Sequence, residues 1–349
     1  MEKRIMGMMP NLNELNEKLL EMTEKNEFSG TAIVAKDGKT VFQGAYGYAD
    51  RENDSLMDIY TKINIGSINK SFTAIGICQL QQMGKLSFDD AVEKYVPEMA
   101  ELSQNKITIH HLLTHTAGLD NFKADAEYIN NKHQIMTIGE LLPYAIRPLI
   151  SVPGGEHKYS NSGYVVLGAV IEQIGGMDYY DYMEKNIYNP AEMVNTGHFL
   201  QADDVLNRAK GYMIMENGSL AANTDLLPLR GGSAGGGYST VPDMLQYMNA
   251  LKNDIFIKNT FDTISKKGAH YWYGTARFPS GAIGHTGGAG GINGYYGVHP
   301  ETGFSATVLS NVDMGAMRAM RVINIHFGLM PQHDGSVPQG TPGMRRTRK

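Results

Sequence analysis

The chain has 349 residues, of which 42% are hydrophobic and 19% charged, enough for one large domain or two small ones with a sizeable core. Its net charge is -5, from 36 acidic against 31 basic residues, so no overall positive field attracts nucleic acid and no basic amphipathic stretch marks a membrane surface. The single cysteine, Cys78, excludes an internal disulfide.

From the N-terminus, Met1-Glu2-Lys3-Arg4 leads into an apolar run at residues 5–9 that is too short for a signal peptide, and no stretch is long enough to span a bilayer. A cytoplasmic location is the expectation. Residues 11–24 place Leu12, Leu15, Leu19, Leu20 and Met22 among polar residues, the pattern of an amphipathic helix. Residues 31–35 and 40–44 then read as strands around Asp37-Gly38, a turn pair suited to positive φ. Gly38-Lys39-Thr40 is not a phosphate loop, because Ile33 stands where that loop needs glycine.

Residues 64–84 carry Ser67 and Lys70 three apart, with Ile68, Phe72, Ile75, Leu80 and Met83 at helical spacing. Neighbours at i and i+3 share a helix face, so an amine can lie beside a hydroxyl and help to deprotonate it if its own charge is suppressed. A helix start also aims N–H groups at an oxyanion formed there. A second S-x-x-K at residues 103–106 has no helix pattern behind it. Cys78 falls on the Ser67 face, deeper in the helix, and reads as a buried structural thiol. Asp89 and Asp90 read as caps of a following element.

From there to about Leu229 the pattern is one of short helices and loops. His111 and His115 stand at metal-ligand spacing, but the glutamate of a zinc-protease helix is missing and Thr116-Ala117-Gly118 breaks the helix. No metal site is expected. Tyr159-Ser160-Asn161 follows a glycine-shaped loop and precedes the apolar run of Val165, Val166, Leu167 and Val170.

Residues 231–235 spell G-x-S-x-G around Ser233, the signature of a nucleophile elbow, which needs a strand before it and a helix directly behind. Here Pro228 interrupts the approach and three glycines follow; the next helix starts only after Thr240, a cap with Pro242 in the first turn. The last third returns to strands at residues 270–277, 281–286, 294–298 and 304–310, with His285-Thr286-Gly287 on an apparent edge strand. The glycines at 287, 288, 290 and 291 miss the dinucleotide register, since Asn293 occupies the third position. A helix at residues 314–327 precedes a Pro- and Gly-rich tail, 331–349, that reads as flexible.

Together, Ser67-Ile68-Asn69-Lys70, Tyr159-Ser160-Asn161 and His285-Thr286-Gly287 resemble the three motifs of the serine β-lactamase and penicillin-binding-protein superfamily. The likeness is to its class C branch, with D-alanyl-D-alanine carboxypeptidases, D-aminopeptidases and family VIII esterases. It covers about residues 28–327, including the family-like stretches 107–119, 152–167 and 232–244. It implies an α/β fold of α+β type: a mixed antiparallel sheet flanked by helices, with a helical insertion. One catalytic domain would occupy 1–330, its α/β part at 11–90 and 230–330 and its mostly helical part at 91–229.

The same resemblance implies that Ser67 is the acylated nucleophile, that Lys70 assists its deprotonation and that Tyr159 shuttles the leaving-group proton. Asn161, His285, Thr286 and Gly287 would bind substrate, and the N–H groups of Ser67 and Gly288 would form the oxyanion hole. No cofactor is implied. The expected substrate is a small-molecule or short-peptide acyl compound, cleaved at an ester or amide. One departure matters: β-lactamases of this branch carry lysine where this chain has His285. With an ordinary pKa near 6.5, a histidine facing the substrate would be largely neutral at pH 7 and would charge as pH falls, so efficient β-lactam hydrolysis is not expected.

Overall fold

Both ends of the chain build one sheet, in a computed structural model that describes residues 11–330; the tail expected at 331–349 lies outside the described residues. Helix α1 (Leu12–Glu24) starts where the Asn11 side chain accepts the Glu14 N–H. Strands β1 (Gly30–Lys36) and β2 (Lys39–Tyr46) follow, joined through Asp37 and Gly38 at φ 49° and 80°, values that Gly and Asp tolerate best. The other strands come from the far end: β3 (Tyr271–Trp272), β4 (Thr275–Arg277), β5 (Ile283–Ala289), β6 (Ile292–Val298) and β7 (Phe304–Ser310). The spatial order is β2-β1-β7-β6-β5-β4-β3, every pair antiparallel. The pairing of β1 with β7, with Gly30 opposite Ser310, closes the chain on itself.

Alternation along the strands feeds two cores. Ala32 and Val34 of β1, with Ala306 and Val308 of β7, pack against Leu15 and Leu19 of α1 and Ala316, Met320 and Ile323 of the last helix, α5 (Gly315–His326). The opposite face, with Ile33, Tyr296 and Leu309, meets α2 (Asn69–Gln82) and α4 (Val241–Lys252), which contribute Phe72, Met244, Tyr247 and Met248. Beyond α2 lies α3 (Asn161–Gly175), buried along most of its length.

Several expectations are corrected. Of the apolar residues at helical spacing after Ser67, Met83 is exposed, whereas residues 69–80 are all buried, polar ones included, because the sheet covers one side of α2 and the insertion the other. Residues 270–277 form a hairpin rather than one strand, with Tyr273 and Gly274 at φ 28° and 74°. A Cβ on Gly274 would lie 2.6 Å from Ala74 Cβ, so the turn can only approach α2 without a side chain. Asp90 caps no helix; it accepts the Ser87 N–H at 2.7 Å in a turn, and the next α-helix begins at Ile109, capped by Thr108. The segment 91–229 also contains a short hairpin, Tyr212–Ile214 with Leu220–Ala222. Finally, β5 is an edge strand only from His285 on, since β4 covers Gly284 and Ile283.

Candidate active site

Ser67 sits in a 3-10 turn, Gly66–Ile68, that runs straight into α2. The uncovered end of β5 lies against this turn at backbone-to-backbone distance. A Cβ on Gly287 would stand 1.9 Å from the Ile65 carbonyl oxygen and 3.2 Å from Ser67 N, and one on Gly66 2.8 Å from Gly288 N. Glycine at both positions therefore brings Ser67 and Gly288 to the wall of one cavity. Gly287→Ala should push the turn off β5 and lower kcat at least about 100-fold, the cost of losing oxyanion donors; an active variant with unchanged kcat would show that this contact is dispensable.

Lys70 is fully buried. Its Nζ lies 3.1 Å from Ser67 Oγ and 2.7 Å from Asn161 Oδ1, and it also bonds the Ala234 carbonyl. Burial first, and repulsion by Lys123 second, hold its pKa well below the ordinary lysine value, which favours the neutral amine. A neutral amine has two N–H groups and one lone pair. Asn161 Oδ1 and the Ala234 carbonyl can only accept, so they take the two N–H groups and the lone pair is left for the Ser67 hydroxyl. The tyrosine rings of Tyr159 and Tyr164 lie 4.9 and 5.7 Å from the nitrogen.

Tyr159 is half-buried in the loop before α3, where Ser160 caps the helix by accepting the Ser162 N–H. Burial raises its pKa far above 10, with Ser67 acting in the opposite direction, so at neutral pH the phenol keeps its proton. Asn161 Nδ2 donates to Asn121 Oδ1 at 3.3 Å, which fixes the amide so that its oxygen faces Lys70. His115, weighed in the sequence only as a metal ligand, holds this loop. Its ring centroid is 4.3 Å from that of Tyr159, and its Nδ1 accepts the Ser160 N–H at 3.3 Å. His111 instead accepts the Thr108 N–H. Among the described residues no cluster of three metal-ligating side chains occurs.

His285 is 4% exposed. Its Nδ1–H donates to the Thr286 carbonyl, which leaves Nε2 to accept from the Tyr271 hydroxyl at 3.3 Å. Burial, reinforced by Lys70, pushes its pKa down to about 3. The expected titrating imidazole is thereby corrected: His285 stays neutral across the physiological range and braces Tyr271. In an NMR titration its ring should keep the neutral, Nδ1-protonated pattern from pH 8 to pH 5; a midpoint near 6.5 would contradict this burial.

Ser233 is also fully buried. Its loop turns back on itself through the Gly232–Gly235 bridge, with no helix directly behind. The loop supports α2: the Ser233 carbonyl accepts the Thr73 hydroxyl at 2.7 Å, and the Ala234 carbonyl accepts from Lys70. The other S-x-x-K serine, Ser103, has a side chain outside the described residues.

The cavity beside Ser67 has a volume of about 260 Å³. Phe122, Tyr128, Ile135, Leu141, Leu227 and Ile292 give it an apolar wall, while His285 and Thr286 are not among its walls. The sequence offered no sign that Ala234, or the turn that carries Asn121 and Lys123, comes near the Lys70 site, since both arrive from loops far from it in the chain.

This sheet between two helical layers, with a serine–lysine pair at the head of a buried helix and a tyrosine loop beside it, defines the serine β-lactamase and penicillin-binding-protein class. The chain belongs to the Beta-lactamase family, which it matches over residues 15–327. It is 30% identical over 196 residues to penicillin-binding protein 4* of Bacillus subtilis, covering 54% of this chain and 43% of that protein. A penicillin-binding protein from Bacillus halodurans superposes with a TM-score of 0.80 at 28% identity, over 91% of this chain and 99% of that one. D-amino acid amidase from Ochrobactrum anthropi shares the fold, with a TM-score of 0.76 at 23% identity over 91% and 98% of the two chains.

Proposed function

We propose that the protein is a serine hydrolase that cleaves an ester or amide bond through an acyl-enzyme on Ser67. The observation that carries this reading is the commitment of both Lys70 N–H groups to carbonyl oxygens, which aims the lone pair at the Ser67 hydroxyl. Ser67 Oγ attacks the acyl carbon while its proton passes to Lys70 Nζ. The oxyanion is held by the N–H groups of Ser67 and Gly288. Tyr159, kept protonated by burial, gives its proton to the leaving group as the bond to the acyl carbon breaks, and recovers one from the Lys70 ammonium. Water then enters by the same path in reverse, and the cycle ends with Ser67 free.

Within this reading Asn161 orients Lys70, and Gly287 lets β5 approach the nucleophile. Thr286 lies on the strand that borders the groove. His285 supports Tyr271 and does not touch substrate. The fold shared with D-amino acid amidase supports amides among the substrates, and the penicillin-binding relatives support a covalent acyl intermediate. Treatment with a fluorophosphonate and with a fluorescent penicillin, followed by peptide mass mapping, should locate an adduct on Ser67, and p-nitrophenyl esters should be turned over. No adduct with either reagent, together with no ester turnover, would overturn the proposal.

A further inference from the structure

The cavity beside Ser67 is cationic as well as apolar. Lys123, Lys132 and Arg230 all line it, and among the described residues no aspartate or glutamate does. Two of the three cations are already committed. Lys132 Nζ donates to the carbonyls of Asp225 and Leu226 at 3.2 and 2.8 Å. Arg230 stacks on the Tyr180 ring at 3.5 Å and donates through Nε to the His198 carbonyl at 2.9 Å.

Lys123 differs. Its ammonium has no hydrogen-bond or ion-pair partner among the described residues, although acidic side chains are near in sequence. Asp125 is bound to Arg147 at 2.8 Å and to the Tyr128 N–H at 3.0 Å, and Asp120 Oδ1 accepts the Asn121 N–H at 2.8 Å. Lys123 is an exposed residue of the cavity lining; partial burial of its amine lowers its pKa, and its charge disfavours a charge on Lys70. An unpaired cation over an apolar wall lacks one thing, an anion brought by the ligand.

We propose that Lys123 is the anion-recognising residue of this cavity, and that the enzyme selects acyl groups with an apolar body and a carboxylate. The inference rests on the acyl-enzyme reading above and names its substrate class. It also separates this site from one built for aminoacyl groups, because a substrate ammonium would meet three cations and no carboxylate. His285, buried and neutral, cannot supply the charge; Lys123 supplies it from the short turn Phe122–Ala124.

The test uses two readouts. The first is kcat/KM for mono-p-nitrophenyl glutarate against p-nitrophenyl butyrate, in wild type, Lys123→Ala, Lys123→Arg and Lys123→Glu. The ratio cancels any effect of Lys123 on Lys70. It should favour the glutarate in wild type, fall about tenfold or more in Lys123→Ala, the size of one charge-assisted hydrogen bond, be largely restored in Lys123→Arg and invert in Lys123→Glu. The second is calorimetric binding of N-phenylglutaramic acid to Ser67→Ala, with and without Lys123→Ala, which needs no turnover. Weaker binding without Lys123 supports the inference even if no ester is hydrolysed, and in that case the hydrolase reading alone fails. If esters are hydrolysed but neither the ratio nor the binding changes across the Lys123 variants, the inference is overturned and the hydrolase reading stands.

Discussion

Replacing Ser67 by alanine should abolish covalent labelling and lower kcat by on the order of 10⁴ to 10⁶, by analogy with the loss of the nucleophile in serine proteases. The expectation is specific because the two rival serines differ in their physical setting. Ser67 is half-buried, borders the cavity and has an amine nitrogen 3.1 Å from its oxygen. Ser233 is fully buried and its Oγ has no hydrogen-bond partner, so no substrate carbonyl can reach it. Ser233→Ala should therefore retain labelling and activity. Greater damage from Ser233→Ala than from Ser67→Ala would place the nucleophile in the glycine loop and dissolve the assignment. Because Ser67→Ala removes only a hydroxyl from a turn held by backbone bonds and by Asn64 Oδ1 on the Gly66 N–H, its melting temperature should stay close to that of wild type, which separates lost chemistry from lost fold.

Lys70 carries the second large effect. An ordinary lysine, with pKa about 10.4, leaves roughly one molecule in 10³ neutral at pH 7; burial of Lys70 shifts that balance toward the neutral amine. Lys70→Arg should be nearly as inactive as Lys70→Ala, at a cost on the order of 10³ or more, because a guanidinium never gives up its proton and cannot serve as base. An arginine variant with more than about a tenth of wild-type activity would refute the base role. Tyr159→Phe combined with Lys70→Ala should be little worse than the more damaging single change, since both act on the same proton.

The same burial makes a prediction about stability. Between its depressed folded pKa and the unfolded value near 10.4, Lys70 binds fewer protons in the folded chain than in the unfolded one. Wild-type stability therefore rises with pH across that window and falls as pH is lowered, by up to about 1.4 kcal/mol per pH unit. Lys70→Met lacks this dependence. The difference in unfolding free energy, wild type minus Lys70→Met, should thus increase from pH 6 to pH 9 in denaturant titrations. A difference flat in pH would mean that the lysine is charged in the folded protein.

What the sequence by itself determined was local. Asn11, Thr108, Ser160 and Thr240 cap helices, each through a side-chain oxygen within reach of an N–H two or three residues on. Asp37-Gly38 turns the first hairpin because those residues accept positive φ. The S-x-x-K pairing needs only a helical turn, so the contact between Ser67 and Lys70 could be read from spacing alone. The likeness of three motifs then pointed to one sheet built from both ends of the chain, since each motif had a place in that order.

Only the tertiary structure decided charge and reach. How far Lys70 is pushed toward neutrality depends on its burial and on a cation at residue 123, and where its lone pair points depends on a carbonyl from residue 234 and an amide from residue 161. No local pattern records those separations, because packing, not spacing, sets them. His285 shows the same limit. A histidine on a strand end reads as a solvent-facing switch until Tyr271, delivered by the 271–277 hairpin, covers it. Lys123 reads as a loop cation until Lys132 and Arg230 are seen to be spent on backbone carbonyls and an aromatic ring. A pKa and an unpaired charge are properties of surroundings, and in this fold the surroundings come from segments far apart in the chain.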